Sequence, residues 1–422
     1  MDSRKSFLIA ITVFTFFTVI IAYEVEVDTL TVMTYNILNF DSYSTDRVAN
    51  FNKIIEEVNP DILVVQELKS ASGGQLFLNN VMNAGGDEYS ATPFIDGPYT
   101  DNQLFYRNSI ILHVKTEQIH TDLRDISAYT LGLNNYSDTS FKFIIYTVHL
   151  KASQGSEEEN RRYIEVLKLK EHADYHYLET HYIVAGDLNV YNANEPAYKV
   201  LIDSMAIDLF DPIDSPGNWH NSGSFAWLHT QATRENYNGW NYGGLDDRFD
   251  FILMSEPFHT SDGLQYVSGS YKAYGNDGNH FNNSINDGVN TAVSTDLADA
   301  LYYASDHLPV VAKVCYSTSN SESMDETYLP DELQLLVAYP NPFNQSVNFK
   351  VEVPEQGNYN ISVFDLTGNL IWSNNFQSHD RTVYTLSWDG TNKYNRPLSS
   401  GIYIVKVVGL SYNQKIKVIL LK

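Results

Sequence analysis

The chain has 422 residues, 43% of them apolar, and a net charge of −25 at neutral pH. That length accommodates two or three domains with complete cores, while the acidic balance argues against avid, non-specific attachment to nucleic acid, which Lys and Arg normally supply. One cysteine, Cys315, excludes an intrachain disulfide, and with one thiol and no His pair apparent at ligand spacing a zinc site is not expected.

Residues 1–22 read as a secretory signal: Arg4 and Lys5 form a basic start, Phe7 to Ile21 an apolar run shorter than a membrane span, and Ala22 a small residue for cleavage. No later segment is long and apolar enough to cross a bilayer as a helix, so the mature protein is expected to be secreted or held at the cell surface without a stable span.

From there strand-like and helix-like segments alternate. Leu30–Ile37 is predicted as a strand; Phe51, Ile54, Ile55 and Val58 mark one face of a helix that Asn59-Pro60 stops; ILVVQ follows as a buried strand. Residues 104–114 and 141–150 read as strands, 157–179 as a charged helix, and YIVAG, RFDFILM and HLPVVAKV as further buried strands. Cys315, in VVAKVCYS, is expected to be a buried apolar residue. The alternation predicts an α/β domain with strands buried by helices. Two stretches, roughly 211–245 and 256–300, lack periodicity, but Trp219, Trp227, Trp240 and Tyr242 favour ordered loops. Within the second, NDGNHFNNSINDG at 276–288 offers clustered oxygens for a structural Ca²⁺, although without EF-hand spacing.

Residues 317–332 are polar and acidic and read as a linker. Beyond it, 333–422 is a series of short strands separated by turns such as Thr367-Gly368 and Ser400-Gly401, a small all-β, immunoglobulin-like sandwich. The catalytic unit is thus expected at 23–316.

Five short stretches in that unit each place an acid, amide or imidazole just past an apolar run: TYN ending at Asn36, VVQE ending at Glu67, VHL around His149, GDLN with Asp187 and Asn189, and SDH with Asp306 and His307. Each alone is common. Together, in this order, they resemble the endonuclease/exonuclease/phosphatase superfamily, over about residues 28–316. The resemblance implies a four-layer α/β sandwich, two packed mixed sheets flanked by helices, and a metal-dependent phosphoester hydrolase. It implies Mg²⁺ bound by Glu67 and Asn36 with assistance from Asp306, Mn²⁺ being the alternative metal, and Gln66 beside Glu67 to orient it. Asp187 and Asn189, two apart on extended backbone, share a face and would position water and a phosphate oxygen. His307 would be general base or protonated phosphate contact, its tautomer held by Asp250; Asp246 and Asp247 lie close enough to leave that register open. His149 would bind a phosphate oxygen, as in the deoxyribonuclease, sphingomyelinase and inositol-phosphatase branches. Lys151, Arg161 or Arg162, and Arg107 are further candidate phosphate contacts. The C-terminal strands resemble the sorting modules of type IX secretion substrates, through YPNPF at 339–343, DLTGNLI at 365–371, WDG at 388–390 and SGIYIVKV at 400–407.

The leading expectation is a secreted nuclease acting on extracellular nucleic acid, with secretion machinery as a partner of the C-terminal domain. The alternatives are a sphingomyelinase- or phospholipase-C-like enzyme, a phosphomonoesterase, or a surface binding protein on an inactive scaffold.

Overall fold

The computed structural model describes residues 26–318 apart from 87, 135, 137–140, 177–180 and 260–262, and 334–421 apart from 340–342, 345, 354–356, 366–368, 379–381, 395, 410 and 411. The expected signal at 1–22 and nearly all of the expected linker at 317–332 lie outside the described residues.

In chain order the first unit comprises β1 (Glu26–Phe40), α1 (Val48–Val58), β2 (Ile62–Leu68), α2 (Ala71–Phe77), β3 (Tyr89–Ala91), β4 (Asp101–Arg107), β5 (Ile111–Ile119), β6 (Ile126–Leu133), β7 (Phe143–His149) and α3 (Ser156–Tyr175). It continues with β8 (Tyr182–Asp187), α4 (Pro196–Asp203), β9 (Leu209–Phe210), the hairpin β10 (Asn236–Tyr237) and β11 (Trp240–Asn241), β12 (Asp250–Ser255), β13 (Gln265–Tyr266), β14 (Lys272–Ala273), α5 (Thr295–Ala304) and β15 (Val310–Thr318).

The strands form two mixed sheets, one ordered β13-β15-β1-β2-β4-β3 with β14 also on β15, the other β5-β6-β7-β8-β12-β9. Leu30, Val32, Ile62 and Val64 of the first sheet pack with Leu131, Ile145, Ile183 and Ile252 of the second. On its other face the first sheet is covered by α1 and α5 through Phe51, Ile54, Leu297 and Leu301. The second is covered by α3 and α4 through Val166, Leu169, Ala197 and Leu201. This is the four-layer sandwich, and its layers follow from strands apolar on both faces meeting helices apolar on one.

Local rules set several boundaries. Asn59 ends α1 in the left-handed conformation, φ 49°, which Asn tolerates. Residues 104–114, expected as one strand, are two: turn residues 108–110 end β4 in the first sheet and start β5 in the second. The stretch 256–300, expected as loop, contains the start of α5 at Ser294, whose hydroxyl accepts from the Leu297 N–H. Cys315 is half-buried rather than buried, on β15 between Thr29 of β1 and Gln265 of the two-residue edge strand β13. Asp277, in the expected calcium loop, has its oxygens engaged by the Thr291 N–H and hydroxyl, the Asn279 N–H and His280. These bonds, made despite burial, hold its carboxyl far below the usual carboxylate range and tie the loop together.

The C-terminal region is strand-rich: β16 (Gln334–Tyr339), β17 (Val347–Val353) and β20 (Thr382–Trp388) in one sheet, and β19 (Leu370–Ser378), β18 (Gly357–Phe364), β21 (Gly401–Gly409) and β22 (Tyr412–Leu420) in the other. Val347, Phe349 and Trp388 face Ile361, Val405 and Val407 across one core. Phe343 packs on Trp388 at 5.5 Å within that core, and the Trp388 indole N–H donates to the Thr391 carbonyl.

Candidate active site

β1, β2, β7 and β8 end at one rim of the two sheets, and β12 and β15 run antiparallel to their neighbours β8 and β1, so they begin where those end. Strand direction therefore brings together Asn36, Glu67, His149 and Asp187 from strand ends with Asp250, Asp306 and His307 from strand beginnings.

Two backbone features sharpen the convergence. Pairing of β2 with β4 shifts register between Val65 and Leu68, and Glu67 sits there at φ 62°, a costly conformation for a side chain of this type. Gly186 has φ +146°, and a Cβ on it would lie 2.1 Å from the Val148 carbonyl oxygen. Only glycine lets β7 and β8 approach there, which sets His149 directly opposite Asp187 in the register.

Asp187 is the hub. Its Oδ2 accepts from Asn36 Nδ2 at 3.2 Å and lies 3.5 Å from His149 Nε2 and 3.8 Å from His307 Nε2. Asn36 Nδ2 also donates to Glu67 Oε1 at 3.0 Å, and the Asn39 N–H donates to Glu67 Oε2 at 2.9 Å. His307 Nδ1 meets Asp250 Oδ2 at 2.7 Å, whereas Asp247 meets His220 at 2.7 Å, so of the three neighbouring acids Asp250 is the one against His307. Asn189, at φ 51°, donates its amide to the Leu150 carbonyl at 3.2 Å, and its N–H donates to Asp187 Oδ1. Ser305 ties the two sides together: its hydroxyl donates to the Asn36 carbonyl at 2.6 Å and accepts from the His307 N–H.

Electrostatics separate the titrating groups. Burial pushes Asp187 up to about 7; Asp250 and Glu67 push the same way, His307 against them. Burial also opposes charge on His307, but Asp250, with Asp187 and Asp306 beyond it, outweighs that and holds the imidazole well above its ordinary value. Burial, with Arg124 and His307 nearby, keeps His149 well below.

The donor set suits a hard divalent cation. Glu67 offers a carboxylate at the rim, and Asp306 Oδ1 is buried with no hydrogen-bond partner among the described residues. Asn36 would ligate through Oδ1, which now accepts from the Leu38 N–H, or after its amide turns over.

Other expected contacts are elsewhere. Gln66 is buried and bonded to Thr34 rather than beside Glu67, since neighbouring strand residues face opposite ways. Arg107 closes an ion-pair network with Asp61 and Glu88 at the far end of the sheet, because β4 runs antiparallel to β2. Arg162 is fully buried against Glu195 and the carbonyls of Lys151 and Ser153; Arg161 pairs with Glu157 on the helix surface. Lys151 Nζ turns back to the Ala152 carbonyl. A cation the motifs do not contain, Arg124, lies beside the site, its Nη1 reaching the carbonyls of His149 and Leu150 at 3.4 and 3.3 Å. It lies outside every motif, so no local pattern marks it. The expectation that no His pair stands at ligand spacing is also wrong: His172 and His176 are one turn apart on and just past α3.

The family described as Endonuclease/Exonuclease/phosphatase family matches residues 33–307, and the Secretion system C-terminal sorting domain matches residues 337–421. Among curated proteins there is no match. Similar solved structures include TDP2 from C. elegans, at 17% identity over 68% of this chain and 75% of that one with a TM-score of 0.45. The human Nocturnin catalytic domain with bound sulfate anion is 19% identical over 70% of this chain and 98% of that one, TM-score 0.44. An endonuclease/exonuclease/phosphatase family protein from Bacteroides thetaiotaomicron is 14% identical over 72% of this chain and all 100% of that one, TM-score 0.44. At these identities and scores the likenesses add nothing about substrate.

Proposed function

The chain belongs to the endonuclease/exonuclease/phosphatase family, whose members hydrolyse phosphoester bonds, and from that premise we propose that it is a divalent-metal-dependent phosphodiester hydrolase acting on extracellular nucleic acid. Its C-terminal sorting domain places it at the cell surface or in the extracellular space, and no helix among the described residues is long and apolar enough to cross a membrane.

One observation carries the reading: a His307–Asp250 pair, His149 and Asn36 converge on Asp187 from strands of both sheets, and Glu67 joins them through Asn36. A divalent cation held by Glu67, Asn36 and Asp306, Mg²⁺ foremost with Mn²⁺ as the alternative, would neutralise charge developing on the phosphate. Asp187, a buried carboxylate at the centre of the cluster and held there by hydrogen bonds from Asn36 and the Asn189 N–H, is suited to orient the attacking water and take its proton. Asp250 orients His307 through Nδ1, so Nε2 faces the reaction space, and the shift of His307 favours its protonated form as a donor to a non-bridging oxygen. On this reading Asp187 is the base and His307 the protonated phosphate contact. His149, neutral, presents Nε2 to the same space, and Arg124 supplies a cation beside it. As water's oxygen bonds to phosphorus, the bond to the leaving oxygen opposite it breaks.

A second reading has its own support. The hairpin β10–β11 raises Trp240 to 73% exposure, and Trp227 is 51% exposed, whereas Trp219 is in the core. An exposed tryptophan hairpin would suit a phospholipid phosphodiesterase working at a membrane surface. A panel of plasmid DNA, RNA, sphingomyelin vesicles, inositol phosphates and bis-p-nitrophenyl phosphate, each with Mg²⁺ and with chelator, decides between them. Nucleic-acid cleavage orders of magnitude above the rest supports the first reading; preference for vesicles replaces it with the second.

A further inference from the structure

A second cluster of metal-ligating side chains lies on the helix-covered face of the second sheet. Glu117 of β5 carries Oε2 3.8 Å from His172 Nε2 and 3.7 Å from His176 Nε2. The two imidazoles are one turn apart, ring centroids 4.4 Å from each other, and all three ligand atoms lie within 4.8 Å of one another. We infer that Glu117, His172 and His176 form a binding site for a first-row transition ion of the zinc class, separate from the phosphoester site.

The chemistry of the set selects the ion. Two imidazole nitrogens and one carboxylate oxygen match zinc and its neighbours, whereas Mg²⁺ and Ca²⁺ prefer oxygen throughout. The spacing is close to what one ion needs: bonds of roughly 2.0–2.2 Å span ligand pairs up to about 4 Å apart. His172 Nδ1 is 3.1 Å from the buried Tyr146 hydroxyl. An N–H donated there leaves Nε2 as the lone-pair atom facing Glu117, the outer-shell arrangement that ligating histidines usually have. Glu117 Oε2 is inaccessible to solvent and has no aligned hydrogen bond, although the Lys115 ammonium lies 2.7 Å from it as an ion pair. Lys115 is 41% exposed and can swing into water, so it acts as the internal competitor of the metal.

The site has a mechanical consequence. β5 is an edge strand of its sheet, and α3 packs over the same sheet. A bound ion would clip the strand to the end of the helix. In an exported protein whose one cysteine leaves no intrachain disulfide, that cross-link takes the place a disulfide often fills.

The test uses the full chain, stripped with chelator and then kept in millimolar Mg²⁺ to saturate oxygen sites. Zn²⁺ and Co²⁺ are titrated, reading stoichiometry, cobalt d–d absorption and thermal midpoint. The expected result is one Mg²⁺-resistant equivalent, the intense visible absorption of low-coordinate cobalt, and a midpoint raised by about 5 °C at a hundredfold excess of Zn²⁺ over its Kd. Glu117→Gln and His176→Gln should each weaken binding at least tenfold, Glu67→Ala should leave it intact, and Lys115→Ala should tighten it. His176 is the least demanding position to alter, being at the helix end, and circular dichroism of His176→Gln confirms folding. Absence of a Mg²⁺-resistant equivalent, equal binding by His176→Gln, or loss of that equivalent in Glu67→Ala would each overturn the proposal.

Discussion

His307 and Asp250 join the two sheets: the imidazole, three residues ahead of β15 in the first, meets the carboxylate that opens β12 in the second at 2.7 Å, both side chains almost fully buried. The pair is a packing contact between layers as well as a catalytic candidate. Asp250→Asn should therefore lower kcat on bis-p-nitrophenyl phosphate by roughly 10²–10⁴ with little change in KM. Adding His307→Ala should cost far less than the product of the single losses, because the two act as a unit. Steady-state kinetics of the two single variants and the double variant give the coupling directly.

The raised Asp187 pKa makes a prediction about stability and pH. Its folded value, about 7, is above the ordinary 3.8, so between those values the native state holds a proton that the unfolded chain has released. Asp187 thus costs increasing stability as pH rises through that window. For metal-free protein in chelator, Asp187→Asn should gain on wild type from pH 4 to pH 7, by on the order of a few kcal/mol at most. His307 has the same sign but a later window: its stabilisation is complete below its ordinary 6.5 and is lost as pH climbs through the higher folded value. Denaturant midpoints of wild type and Asp187→Asn from pH 4 to 7, and of wild type and His307→Gln from pH 6 upward through the alkaline range, check both signs.

Gly186→Ala tests the backbone geometry. The added methyl would meet the Val148 carbonyl at 2.1 Å while the backbone is in a region L-residues avoid. The expected cost is about 3 kcal/mol or more, with activity lost even where the chain still folds, because β7 must move away with His149. Urea denaturation with parallel activity measurement reports both.

We expect catalysis and export to separate. A chain ending at residue 318 retains every residue of the site but lacks the matched sorting domain at 337–421. In a native host it should accumulate in the periplasm, active in a lysate and missing from the medium and cell surface. Release equal to the full chain would assign the C-terminal domain some other role.

The chain was legible where chemistry sits at strand ends. Asn36, Glu67, His149, Asp187 and His307 each follow or precede an apolar run, and strand direction alone gathers them. Direction also explains the errors. Arg107 ends a strand too, but an antiparallel one, so it lies at the opposite rim. Arg162, a candidate phosphate contact on a charged helix, is drawn inside by Glu195, 33 residues on. Arg124 and Glu117 owe their positions to tertiary packing, which no neighbouring residue announces. The His172–His176 spacing stands in the sequence and went unread, and the acid that joins the pair comes from a strand more than fifty residues earlier.

The most direct measurement of the central claim is phosphodiester hydrolysis by the full chain as Mg²⁺ is removed and restored, in wild type and Glu67→Ala. The account predicts that chelator abolishes wild-type turnover, that Mg²⁺ restores it in a saturable way, and that Glu67→Ala, folded by circular dichroism, recovers less than about 1% of the rate at the same metal concentration. Full-rate hydrolysis in chelator, or a Glu67→Ala variant with wild-type metal response, would contradict it.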